Sequence, residues 1–433
     1  MKTNLIGFVA TLVLLVGAPL GIVAWGSHAG QASQGKDDYR LEGPFTQGNL
    51  TVFLIHGKDK IKGETFITLQ EALVQKKVIV RETRSVNELS IENISSQEVY
   101  VQSGDIVKGG RQDRTLPNDI LVKAGSGKLP LDAFCVEHGR WQQRGGESAT
   151  AFSGSSKTLS SKNLKYAAKV EKSQAEVWDK VTKEQKKLSD NVFKGEKKPN
   201  AAPQASASND VQGQTVTVND AQGQTATVND ARSASSLQLA LENKNLEKLA
   251  KEYTDDLKAA PAQAPDAVGF AYAVNGTMTG AEVYANSALF LKLWPKLLES
   301  AVNEAIAEQQ DGKEGSALSC DDAGTWLGET EAAELKREDY PAGNATLKRD
   351  AKKSVRFDTL VPAAKGKGKA KESDWIHRSI LTKEGIEPSG SGAAGQQSLQ
   401  LQGGQLERRQ QGSLQLQGGQ QGVLQVERPV EKK

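Results

Sequence analysis

Histidine and cysteine are scarce in this chain. Four histidines, His28, His56, His138 and His377, are spread over 433 residues, so a histidine-rich metal centre is excluded before geometry is considered. Two cysteines, Cys135 and Cys320, permit at most one internal disulfide. An excess of charge is also missing. Lys+Arg number 55 and Asp+Glu 53, a net charge of +2, so no global field draws the chain to nucleic acid. Hydrophobic residues make up 37 %, below the roughly 45–50 % of ordinary globular chains, which implies stretches that do not fold. The standard catalytic signatures are absent in any suitable context: no G-x-x-x-x-G-K-[ST] loop, no G-x-S-x-G elbow, no H-E-x-x-H helix and no dinucleotide fingerprint. Gly125-Ser126-Gly127-Lys128 imitates the end of a phosphate loop, but Val122 and Leu129 stand where a glycine and a hydroxyl are needed.

What is present begins at the N-terminus. Lys2 precedes an apolar run from Leu5 to Ala24, and Ser27-His28-Ala29 offers a small–x–small cleavage site. Residues 1–30 thus read as a signal peptide, with a single-pass membrane anchor as the alternative, since about 20 apolar residues suffice to span a bilayer. Either way an extracytoplasmic address is expected, secreted or periplasmic. From Pro388 to the end the chain is Gln/Gly-rich, with SLQLQGGQ at Ser398–Gln405 and again at Ser413–Gln420; residues 386–433 are expected to be a disordered tail.

Between these ends the patterns predict an α+β fold: a β-sandwich-like N-terminal half followed by helices packed with a β-hairpin. One family domain is expected over 40–385, β-rich over 45–141 and helical with a hairpin over 160–310. Leu50-Thr51-Val52-Phe53-Leu54-Ile55 reads as a buried strand. Thr68 and Glu71 have capping-box spacing. Leu89 and Ile91 alternate as in a half-buried strand, and Lys123–Lys128 reads as a hairpin loop between Ile120–Val122 and a strand from Leu129 to Val136. Ser160 to Phe193 reads as one helix, and Leu237 to Tyr253 as another. Asn275-Gly276 is the strongest hairpin signal. Pro295 either kinks a helix or starts a second one. Ser354–Leu360 and Trp375–Leu381 read as late strands. In 200–236 a tandem decapeptide, NDVQGQTVTV (Asn209–Val218) then NDAQGQTATV (Asn219–Val228), reads as a flexible insertion.

Two clusters could carry chemistry. Asp105 to Arg114 reads DIVKGGRQDR, and Cys135 to Arg144 reads CVEHGRWQQR. Lys108, Gly109, Gly110, Arg111, Gln112 and Arg114 suit an anion site, because arginine grips phosphate or carboxylate at two points and glycine lets backbone approach closely; Arg140 and Trp141 extend it. Asp105 and Glu137 are the acid/base candidates. Cys135 with His138 suggests a thiol nucleophile, but on a continuous strand the two point to opposite faces. A metal site from Cys135, Glu137 and His138 lacks a second ligand pair, so neither metal nor cofactor is expected.

The blocks GPFTQGNLTVFLI, VYVQSGDIVKGGRQDRTL, LPLDAFCVEHGRW, VGFAYAVNGTMTGAEVYANSALFLKLWPKLL and WIHRS occur in order between Leu41 and Leu381. This part of the chain resembles the ARG-and-rhodanese-phosphatase-superfamily-associated protein domain family. Its G-G-[KR]-Q-x-R and C-V-E-x-G-R-W blocks are matched by Gly109–Arg114 and Cys135–Trp141. The family's association with ADP-ribosylglycohydrolase and phosphatase-like proteins implies a link to NAD or ADP-ribose metabolism. The expectation is a module that binds an anionic small molecule or an envelope protein through Lys108–Arg114 and Glu137–Arg144. The alternatives are a hydrolase or transferase acting on a phosphate- or ADP-ribose-like substrate, and a structural envelope protein.

Overall fold

The computed structural model describes residues 39–61, 66–83, 85–194, 215–220, 223–310, 318–340, 344–361 and 371–383. The proposed signal segment and the Gln/Gly-rich tail lie outside them. The fold is α+β and is built on one eight-stranded sheet. Its order is Arg40–Gln47, Leu50–His56, Ala267–Val274, Thr277–Tyr284, Trp375–Thr382, Ser354–Leu360, Ala345–Asp350 and Leu335–Asp339. Every neighbouring pair is antiparallel. All seven residues of Leu50–His56 are buried. Leu50, Val52 and Leu54 join the core that includes Phe290, Leu293 and Leu297 of the helix Ser287–Ala307. Phe53 and Ile55 join the opposite core with Ala323 and Trp326 of the helix Cys320–Gly328. Cover on both faces explains why this strand is continuously apolar rather than alternating. The outer strand Leu335–Asp339 is short, largely exposed and charged (LKRED), a composition that blunts edge-to-edge pairing.

The chain between these strands folds into three small sheets. One holds Ile67–Thr68, Val99–Val101 and Ile120–Val122. A second holds Val78–Glu82, Glu88–Asn93 and Gly127–Asp132. The third holds Asp105–Gly109, Arg114–Thr115, Phe134–Cys135 and Phe152–Leu159. They share a core that includes Val80, Leu89, Ile91, Val101, Val107 and Leu131. The capping box forms: Thr68 Oγ1 accepts from the Glu71 N–H, and Glu71 Oε2 accepts from the Thr68 N–H, opening the helix Leu69–Val74.

Lys123–Lys128 does not close a hairpin. Ile120–Val122 pairs with Val99–Val101, whereas Gly127–Asp132 pairs with Glu88–Asn93. Asn93 stands at the junction. It is opposite Gly127 in one sheet, and its Nδ2 donates to the Val122 carbonyl of the other at 3.1 Å.

The helices are also more divided than the periodicity suggests. Within 160–193, Lys162–Tyr166 runs into a π-helical turn, Ala167–Glu171. Lys172 (φ 51°) then breaks the path, and Ser173 caps the helix Gln174–Val192. Leu237–Leu241 and Lys244–Leu257 are separate helices because Asn243 caps the second. Pro295 lies inside Ser287–Ala307 on the exposed side, leaving the Leu291 carbonyl without its helical N–H partner. Asn275 and Gly276 both have positive φ, as the tight hairpin between Ala267–Val274 and Thr277–Tyr284 requires. Within the repeat region the strands Thr215–Asp220 and Gly223–Asp230 pair, and Val228 is buried in the helix-side core.

Candidate functional site

Gly109 and Gly110 both take positive φ, 120° and 55°. A methyl group on Gly110 would run into the Phe152 ring and the Glu82 carboxylate, so packing demands this glycine. Of residues 108–114, Arg111 alone is exposed, and its N–H donates to Glu82. Gln112 and Asp113 turn inward: Gln112 Nε2 donates to the Glu137 carbonyl at 2.9 Å, and the Asp113 N–H to Glu137 Oε2 at 3.0 Å. Arg114 is buried, donating to the Gln112 carbonyl at 2.6 Å.

The second block clasps the first. Arg140 donates to both oxygens of Glu137, at 2.6 and 2.7 Å. Arg144 reaches both oxygens of Asp113 at 3.0 Å, Glu137 at 3.3 Å and Glu147 at 2.9 Å. Ser236 Oγ adds a bond to Asp113 at 2.7 Å. The two sequence clusters are therefore brought together, and their ionic groups largely neutralise one another. Burial opposes ionisation of Glu137, but the bonds from Arg140 and from the Asp113 N–H outweigh it and hold its pKa below the usual carboxylate value. A carboxylate held this way is a weak proton acceptor.

The other candidates separate. Burial raises the pKa of the Cys135 thiol above its ordinary value, which opposes thiolate formation. Its backbone is pinned by Gln174, with both bonds at 2.8 Å. His138 is exposed and meets the Trp178 ring edge-on at 4.6 Å, so the Cys135–His138 pairing is not built. Cys135 and Cys320 are both buried and are not joined in a disulfide, and Cys320 donates to the Gly43 carbonyl at 3.5 Å. Trp141 is 53 % exposed. Asp105 points away from the clasp and pairs with Lys296 of the long helix.

A cavity of about 550 Å³ opens beside the clasp. Lys108, Arg144 and Arg232 line it, together with Glu147, Ser148 and Ser153. Lys108 also meets Glu242 at 2.6 Å, and Arg232 meets Asp230 at 2.8 Å. Arg232 carried no signal in the sequence, because it follows a repeat that reads as an insertion.

A second polar assembly was not legible at all. His377, fully buried, sits with Nδ1 3.1 Å from Asp119 and Nε2 2.8 Å from Glu282, and its ring stacks on Tyr284 at 4.5 Å. Asp119 also accepts from Lys169 (3.2 Å), Tyr100 (3.1 Å) and Thr359 (3.1 Å), while Lys165 meets Glu282 at 2.7 Å. These groups come from the main sheet, the small sheets and the helical turn, so the network ties the three together. Burial works against the charged imidazole, yet Asp119 and Glu282 raise His377 to about 8. Among the described residues, no group of three or more His, Cys, Asp or Glu side chains is placed to hold a metal ion, and no helix is long and apolar enough to cross a membrane.

Among known proteins, a family model described as the ARG and Rhodanese-Phosphatase-superfamily-associated Protein domain matches residues 38–381. No curated protein and no solved structure matches the chain.

Proposed function

The chain belongs to the family of the ARG and Rhodanese-Phosphatase-superfamily-associated Protein domain, and we propose that it is an extracytoplasmic binding protein for a small anionic ligand. The observation that carries this reading is the cavity wall: Lys108, Arg144 and Arg232 arrive from three separate segments, against one lining carboxylate, Glu147. Its volume suits a small molecule, for which about 300–1,000 Å³ is usual. Phosphate-bearing compounds, ADP-ribose among them, have the charge and hydroxyl chemistry to use both the cations and Ser148 and Ser153. Arg144 is spent on Asp113, Glu137 and Glu147, so it shapes the wall rather than supplying free charge. Lys108 and Arg232 are the adjustable members, each able to leave its carboxylate for a ligand. Binding without turnover is favoured over a hydrolase or transferase because Glu137 is already saturated by arginine and Asp105 lies elsewhere. The extracytoplasmic address rests on the apolar run Leu5–Ala24.

A thermal-shift screen of the full chain against inorganic phosphate, nucleotides and ADP-ribose tests this. A ligand at about 100 times its Kd stabilises by about 2.7 kcal/mol. The shift is expected to vanish in Lys108→Ala and Arg232→Ala and to persist in Arg111→Ala. A flat screen, or a shift indifferent to Lys108 and Arg232, would remove the proposal.

A further inference from the structure

The two adjustable cations of the cavity beside the clasp are both latched. Lys108, on the strand Asp105–Gly109, sets its ammonium against both oxygens of Glu242, at 2.8 and 2.6 Å. Arg232 spans both oxygens of Asp230, with Nε 2.9 Å from one and a terminal nitrogen 2.8 Å from the other. Lys108 and Arg232 line the cavity, whereas Glu242 and Asp230 do not. Each cation is therefore shared between the cavity and a carboxylate outside its lining.

The latches are light enough to open. The side chains of Lys108 and Arg232 are 21 % and 54 % exposed, and ion pairs this open to water are weak. Charge still has to balance. Burial opposes ionisation of Asp230, but the bonds from Arg232 hold its pKa below the usual carboxylate value, so this latch brings a full negative charge. A ligand with one anionic group replaces one latch carboxylate and leaves the second cation where it is. A ligand with two anionic groups replaces both, and neither cation is left without a counter-charge. The cavity also has an open side. Gly145 and Gly146 line it, and a Cβ on either would meet nothing within 4 Å.

We propose that this cavity takes a diphosphate group, one phosphoryl on Lys108 and the other on Arg232, and that Glu242 and Asp230 are latches which a ligand with a single anionic group does not open together. This rests on the reading of the cavity as an anion site and names the charged part of its ligand. Arginine takes phosphate oxygens in pairs, and lysine takes them as a point charge. A dicarboxylate also carries two charges, but phosphoryl groups have oxygens left over for the Ser148 hydroxyl on the same wall. The diphosphate is either free or esterified to a larger group, for which the glycine side has room.

Calorimetric titration of the full chain at pH 7.5 with inorganic pyrophosphate, ADP-ribose, orthophosphate and succinate tests this. The better of the two diphosphates is expected to bind roughly tenfold or more tightly than orthophosphate or succinate, and which of the two is better tells a free diphosphate from an esterified one. Glu242→Gln and Asp230→Asn keep the shape of each latch and remove its charge. Each is expected to tighten diphosphate binding by roughly threefold to tenfold, whereas orthophosphate is expected to respond to one of them only. Should a latch variant fail to fold, Lys108→Gln and Arg232→Gln decide: both must weaken diphosphate binding. The proposal is overturned, with the anion site left standing, if either latch variant leaves diphosphate affinity unchanged, if orthophosphate tightens equally in both, or if succinate binds as tightly as pyrophosphate. Absence of binding by all four anions would remove the underlying reading as well.

Discussion

His377 lies between two carboxylates, Nδ1 3.1 Å from Asp119 and Nε2 2.8 Å from Glu282, and although neither ring nitrogen makes an aligned hydrogen bond, the two negative charges favour the imidazolium. Its protonation is therefore part of the folded state. Held at about 8 against an ordinary 6.5, it stabilises the fold fully below pH 6.5, and this contribution disappears as pH rises through 8. By linkage the loss is on the order of 2 kcal/mol. Glu184 acts in the same direction. Burial, together with Glu304 and Glu308, lifts its carboxyl to about 7, so its ionisation disfavours folding from about pH 4.5 upward. Glu282 acts oppositely. Lys165 and His377 overcome its burial and lower it to about 2, so its contribution is lost as pH falls below 4.5. Thermal unfolding followed by circular dichroism is thus expected to give a maximum Tm near pH 5 and a clear decline between pH 6.5 and 8. A Tm flat across that interval would contradict the imidazolium assignment. None of this was visible in the sequence, where His377 is one residue of a late strand and Asp119, Lys165 and Glu282 lie far from it and from one another. The separation of Cys135 from His138 is not the work of strand alternation either: the strand ends at Cys135, and the partners Gln174 and Trp178 hold the two residues apart.

At the scale of elements, local signals held where the physics is local. The Thr68–Glu71 box, the Asn275-Gly276 turn and the apolar run Leu50–Ile55 each formed. The failures share a cause: a tertiary partner decided the outcome. Lys123–Lys128 looks like a hairpin loop until Asn93 draws Val122 and Gly127 into different sheets. The lysine-rich helix after Ser160 reads as continuous, but Lys165 and Lys169 are pulled towards buried carboxylates while Lys172 turns left-handed. Asn93 offers the cleaner experiment. Its amide, 1 % exposed, also donates to the Gln97 carbonyl at 2.7 Å. Asn93→Ala takes a donor from the buried Val122 carbonyl and one from the half-buried Gln97 carbonyl, which keeps Ser95 Oγ at 3.2 Å, and is expected to cost about 1–3 kcal/mol in chemical denaturation. A loss under about 0.5 kcal/mol would mean that the two sheets are joined by other means.

The whole molecule is organised by pairings that no local pattern encodes. Val52 lies opposite Tyr272, and Leu54 opposite Phe270. Antiparallel strands separated by over two hundred residues carry the right period but no record of their partner, so a sandwich-like first half was the natural expectation for Leu50–His56. The candidate site was legible to a similar extent. The two sequence clusters do converge, but their mutual neutralisation and the contribution of Arg232 depend on that long-range closure. A chain ended at residue 330 lacks the four strands Leu335–Asp339, Ala345–Asp350, Ser354–Leu360 and Trp375–Thr382, as well as His377. It is expected to show no cooperative unfolding transition, and a cooperative melt of that fragment would place the stable unit elsewhere. The same topology sets a timetable. A ribosome releases Leu50–His56 early, and its two apolar faces wait for Ala267–Val274 and then for the helices that cover them. Such late closure is slow to nucleate and leaves sticky surface exposed in the interim.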